Sequence, residues 1–117
     1  MYPYKDLRDY VADLEAHNEL IRITEPVSAE LEITEITDRV SKMPEAENKA
    51  LLFENVIGYE LPVLINTLGS HKRMQMALGV KHYDEVAARI KEYIKPEAPE
   101  SLSDKISKVM QLAEVRK

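Results

Sequence analysis

In the stretch LINTLGSHKRMQMALG (64–79), three side chains able to carry positive charge, His71, Lys72 and Arg73, stand in a row behind Gly69 and Ser70. The apolar run before them reads as a strand and the spacing after them as a helix, which places the cations at a helix start. Such a start exposes unpaired N–H groups and partial positive charge, so it suits an anion and costs each exposed cation about 0.3–1 kcal/mol. Ser70, His71, Lys72 and Arg73 therefore form a candidate contact for an anion or for a neighbouring domain. The competing reading has all three cations extending into water, with Arg73 packing its stem and meeting an acid from the first half of the chain. Scarcity of glycine favours that second reading, because phosphate loops use more of it.

The remaining chemistry-bearing residues give no catalytic, cofactor-binding or metal-binding set. His17, His71 and His82 lack the i, i+4 spacing of a helical zinc pair and have no ligand cluster beside them. His17 reads as a helix-end residue and His82 as part of a connector. Glu30, Glu32, Glu35 and Asp38 could be taken for paired carboxylates, but only Glu35 and Asp38 share a helical face, and a solvated acidic face explains them. Gly58, Gly69 and Gly79 match no dinucleotide or phosphate-loop spacing and read as turns and helix stops. Met74 and Met76 read as core or core margin. With no cysteine, there is no thiolate ligand, nucleophile or disulfide.

Composition bounds the rest. A chain of 117 residues that is 44% hydrophobic can bury one core. Its net charge of −5 is uneven: residues 1–50 carry 12 acids and 6 Lys/Arg, residues 51–117 carry 9 acids and 10 Lys/Arg. The acidic first half repels a polyphosphate, and no basic-aromatic interleaving offsets it, so nucleic acid is not an expected partner. No apolar run approaches the roughly 20 residues of a membrane span. The sequence does not open on a basic and then apolar leader, so a cytoplasmic location is expected.

Periodicity predicts the elements that hold these residues. A first helix runs through DLRDYVADLEAHN, capped by Asp6, with Leu7, Tyr10, Val11 and Leu14 inward and Asn18 ending it. LIRI (20–23) is a strand, and Ser28 caps a helix over about 29–42 with Leu31, Ile36, Val40 and Met43 as its apolar stripe. ALLFE (50–54) and PVLI (62–65) form a hairpin, and a short helix follows with Met74, Ala77 and Leu78 inward. A helix over 84–94 turns Val86, Ile90, Tyr93 and Ile94 to one side; KPEAPE (95–100) is a linker. Ser101 and Asp104 form a capping box for a last helix with Leu102, Ile106, Val109 and Met110 inward. The expected fold is α/β (α+β), a small three-stranded mixed sheet with about five helices in the order α-β-α-β-β-α-α-α, the second helix crossing over between parallel strands. Residues 1–95 form the main domain, and 96–117 a linker and C-terminal helix.

Two long segments, 6–40 and 51–80, resemble the N-terminal domain of the UbiD family of carboxy-lyases. The likeness rests on Leu7-Arg8, Leu14-Glu15, Glu19-Leu20, Arg22-Ile23, Pro26-Val27, Glu30 to Ile33, Phe53 to Val56, Gly58-Tyr59, Pro62-Val63, Asn66, Gly69-Ser70, Arg73-Met74 and Ala77 to Gly79. Residues 81–117 match only loosely. Asn18 stands where the family usually has glycine, Leu68 replaces a usual aromatic residue, and Lys72 replaces a frequent acid.

The resemblance implies reversible, non-oxidative decarboxylation of aromatic or α,β-unsaturated carboxylic acids by a larger parent protein. It further implies prenylated FMN and a divalent metal, Mn or Mg, held with a Glu-Arg-Glu catalytic set on a central domain outside these residues, and a homo-oligomeric parent. The expected partners of this chain are the remaining domains of that parent. No residue here matches a catalytic motif of the family, so an inactive N-terminal domain is expected, whether a truncated piece, a proteolytic remnant or a stand-alone relative. A free-standing interaction or assembly module without enzymatic activity is the alternative.

Overall fold

The structure, a computed structural model, describes residues 3–94 and 101–115. The elements are α1 (Leu7–Ala16), β1 (Leu20–Ile23), α2 (Glu32–Ser41), β2 (Ala50–Phe53), β3 (Val63–Ile65), α3 (His71–Leu78), α4 (Tyr83–Ile94) and α5 (Leu102–Val115). The mixed α/β class, the three-stranded sheet and the element order are those expected. The chain divides into two compact units, residues 1–83 and 84–117. The expected linker at 95–100 lies outside the described residues, as do the side chains of Leu102 and Asp104.

In the first unit β2 is the central strand. It pairs in parallel with β1, Leu20 opposite Ala50 through Ile23 opposite Phe53, and antiparallel with β3, Phe53 opposite Val63. A parallel pair needs a crossover, and α2 lies in it. Alternation along the strands divides the core between the two sheet faces. Leu51 and Phe53 join Val27, Ile33 and Val56 on one face, with Ile36 and Val40 of α2 packed against them. Ala50 joins Leu20, Tyr10 and Leu14 on the other, with Met76 and Ala77 of α3 alongside. Leu14, Leu51 and Phe53 are almost wholly enclosed, each worth about 1.5–3 kcal/mol of burial.

Local signals act largely as anticipated at the helix ends. The Asp6 carboxylate accepts from the N–H groups of Arg8 (2.8 Å) and Asp9 (3.2 Å). Asn18 turns the chain out of α1 at φ 56°, and Gly79 ends α3 at φ 64°. The start of α2 differs. A bridge between Val27 and Val56 keeps the chain extended up to Ser28; Ser28 then forms a turn, its N–H donating to Glu32 Oε2 at 2.6 Å and its hydroxyl accepting from Glu30 at 3.1 Å. The helix therefore begins at Glu32, with Leu31 at its cap at φ 63° and without a side-chain cap bond.

The buried stripes also shift. In α2 the enclosed residue is Ile33, while Leu31 is 81% exposed and Met43 lies largely outside. In α1 Leu7 is exposed. In the second unit Ile90, Tyr93, Ile94, Ile106, Val109 and Met110 are all exposed rather than inward. Two helices within one unit have no further layer of that unit to close over their apolar stripes.

Candidate functional site

The helix start at Ser70 sits where three strand ends converge: Glu19 enters β1, Asn48 and Lys49 enter β2, and Asn66 leaves β3. Ser70 caps α3, its hydroxyl accepting from the Arg73 N–H at 3.2 Å. The helical period set from that cap turns Arg73 inward together with Met76 and Ala77, and Leu78 outward; Val80, just past the Gly79 turn that ends the helix, is also buried. Arg73 is 0% exposed. This corrects the expectation that all three cations extend into water, while the anticipated acid from the first half is present.

That acid is Glu19, itself buried. Arg73 Nη1 donates to Glu19 Oε2 at 3.0 Å and to the Asn48 carbonyl at 2.6 Å, and Nη2 donates to Asn48 Oδ1 at 2.8 Å. Nε, also buried, has no hydrogen-bond partner among the described residues. The Asn48 amide donates to the carbonyls of Ser41 (3.2 Å) and Gly69 (3.0 Å). Asn66, at φ 59°, donates to Asn48 Oδ1 and to the Lys49 carbonyl, both at 2.8 Å. Gly69 is required beside it, since a Cβ there would stand 1.8 Å from Asn66 Oδ1.

Lys72 completes the cluster from outside. Its Nζ lies 2.8 Å from Glu19 Oε1, with Lys49 Nζ at 3.8 Å from the same oxygen. Burial by itself pushes the Glu19 carboxyl up, but hydrogen bonds from Lys72 and Arg73 and the Lys49 charge outweigh it and hold the group below its ordinary value. Lys72 thus has an acid to meet at the helix start. Three cations surround one carboxylate, and the adjoining open recess of about 580 Å³ adds Glu45, so its lining is of mixed charge.

The other sequence candidates lie elsewhere. His17 caps α1, its ring Nδ1 2.9 Å from the Asp13 carbonyl and 3.1 Å from Asp13 Oδ1. His71 is exposed, its ring 3.1 Å from the Tyr83 hydroxyl. Glu35 pairs with Arg39 at 2.6 Å and Asp38 with Lys42 at 2.7 Å, surface pairs along α2 rather than an acid-base couple. Of the four residues singled out at the α3 start, His71 and Lys72 are exposed, and Ser70 and Arg73 are buried. Sequence reasoning missed Glu19 and Asn48 as members of the network. The only available sign was polar residues flanking short apolar strands, a pattern that most loops share.

Apart from Arg73 Nε, the network's buried polar groups are met by its own members, and the result is a clasp that ties the ends of the strands to the start of α3. Among the described residues no three His, Asp or Glu side chains come together to hold a metal, and the three glycines provide no cradle for a flavin phosphate. Among the described residues no helix is long and apolar enough to cross a membrane.

Comparison with known proteins bears on this clasp and its sheet together. The sequence profile of the 3-octaprenyl-4-hydroxybenzoate carboxy-lyase N-terminal domain matches residues 11–91, which include Glu19, Asn48, Asn66 and Arg73. An uncharacterized protein of Aquifex aeolicus (strain VF5) is 50% identical over 111 residues, 95% of this chain and 23% of the relative. The chain thus spans less than a quarter of that relative's length. With the profile covering most of the sheet, its helices and the clasp, the chain belongs to the UbiD family, as an N-terminal domain of that family.

Proposed function

We propose that these residues are the non-catalytic N-terminal domain of a UbiD-like decarboxylase that acts on aromatic or α,β-unsaturated carboxylic acids. The observation that carries the reading is the match of a carboxy-lyase N-terminal domain to residues 11–91. In this reading prenylated FMN, when bound to the parent, supplies the electron sink for loss of carbon dioxide, with Mn or Mg beside it. This chain contributes a preorganised scaffold, with the acid-base side chains held elsewhere in the parent. A cytoplasmic, homo-oligomeric parent belongs to the same proposal.

The test compares two purified proteins: the 117-residue chain and the complete polypeptide that carries it. Both are incubated with prenylated FMN, Mn and an aromatic acid such as a 4-hydroxybenzoate, and carbon dioxide release is followed. Release by the complete polypeptide alone supports the proposal. Release by the 117-residue chain, or a stoichiometric flavin spectrum retained by it, overturns the non-catalytic role. A reading frame that codes for these residues and nothing more would instead identify a free-standing assembly module.

A further inference from the structure

The sheet has two unlike ends. At one, Glu19, Asn48, Asn66 and Arg73 are bonded to each other and enclosed. At the other, β1 and β2 finish and β3 begins, and four large apolar side chains stand in water: Leu31 (81% exposed), Ile57 (59%), Tyr59 (68%) and Leu61 (78%). The backbone brings their segments together, with Val27 donating to Asn55 and Ile57 donating to Val27 (3.0 and 2.9 Å). The register sets Val63, two residues beyond Leu61, opposite Phe53 at the end of β2.

Two further properties set this end apart. Leu31 is held at φ 63°, a conformation that disfavours a bulky side chain and that gains nothing from burial in the chain itself. Strain kept at an exposed position is characteristic of ligand clamps and contact sites. In addition, segments 24–32 and 54–62 contain five acids, Glu25, Glu30, Glu32, Glu54 and Glu60, and no Lys, Arg or His. Arg22 of β1 pairs with Glu54 at 2.6 Å, and the other four acids leave an apolar centre with a net acidic rim, which fits an interface whose other side is apolar and basic.

We infer that this end of the sheet docks onto the remainder of the parent polypeptide, against a surface with an apolar centre and a basic rim. The occupant is argued from charge and from length: at 50% identity, the Aquifex aeolicus relative is covered over only 23% of its length, leaving most of a protein to be met. The inference rests on the reading of these residues as one domain of a longer protein, and not on what that protein catalyses. It also differs from an interdomain contact through the basic helix start, where Arg73 is already spent on Glu19.

Hydrogen exchange followed by mass spectrometry tests it, in the 117-residue chain and in the complete polypeptide. The expected result is exchange at least about tenfold slower at 24–32 and 54–62 in the complete polypeptide. Tyr59→Lys with Leu61→Lys should abolish that difference while leaving the unfolding midpoint of the 117-residue chain unmoved, because both side chains are exposed. Equal exchange in the two proteins overturns the inference. So does a concentration-dependent dimer of the 117-residue chain that the double substitution dissolves, since the occupant is then a second copy. Exchange is read without turnover, so an inactive complete polypeptide with protected segments would count against the decarboxylase reading alone.

Discussion

A buried arginine is tolerated only if its charge and its donors are met, and Arg73 meets Glu19 and Asn48 with all but Nε. Removing one partner of such a pair is costly because the other charge stays behind in a poor solvent. Arg73→Met should therefore lower stability by about 3 kcal/mol, the lower part of the range for broken buried pairs, since Lys72 still reaches Glu19. Lys72→Ala, which removes an exposed cation, should cost about 0–1 kcal/mol. Urea unfolding measures both, and equal losses for the two would show that Arg73 is not the centre of the clasp. Gly69→Ala tests the packing around it. The added Cβ would meet Asn66 Oδ1, whose amide is tied to Asn48 and Lys49, so a loss of about 1–3 kcal/mol is expected from overpacking. A fully stable Gly69→Ala variant would mean that Asn66 can leave its partners freely.

At the scale of elements, the order of helices and strands was legible because caps and periods agree: Asp6, Asn18, Ser70 and Gly79 each do locally what their residue types favour. What was not legible is which face of a helix turns inward. In α3 the inward stripe of Arg73, Met76 and Ala77 begins with a charge, and hydrophobic periodicity discards such a residue, so the expected stripe was Met74, Ala77 and Leu78, of which Leu78 is exposed. The clasp was illegible for a related reason, since Glu19 and Arg73 are 54 positions apart and nothing local marks them as a pair. In α2 the Val27 bridge delayed the helix start and moved the stripe from Leu31 to Ile33. Two substitutions check that stripe. Ile33→Ala should cost about 2–4 kcal/mol by leaving a cavity under the sheet. Leu31→Gly should cost nothing or stabilise by up to about 1 kcal/mol, because glycine adopts φ 63° without strain. Thermal unfolding of the two variants separates them, and the reverse order would sink the assignment.

At the scale of the whole molecule these ties make the stability of the first unit depend on pH from both sides. Glu19 is held below its ordinary value in the folded chain, so in acid the unfolded state binds a proton first. Its contribution is whole above the unfolded carboxylate value of about 4.3 and is lost as pH falls through the lower folded value. Glu15, lowered by its hydrogen bonds from exposed Arg22, titrates in the same sense but in water. On the alkaline side, burial and the 2.6 Å hydrogen bond to Asp13 push the Tyr4 hydroxyl up. Burial likewise raises Tyr10, which donates toward the Thr67 and Arg73 carbonyls. A raised phenol contributes fully below its unfolded value of about 10 and loses that contribution as pH rises beyond it. Unfolding midpoints should accordingly hold a plateau between about pH 5 and 9 and fall on either side. Glu19→Gln should lower the plateau and flatten the acid limb; Tyr4→Phe should flatten the alkaline limb and leave the acid limb unchanged. An acid limb equally steep in Glu19→Gln would place the acid sensitivity outside the clasp, and with it the claim that one buried carboxylate ties α1, β1 and α3 together.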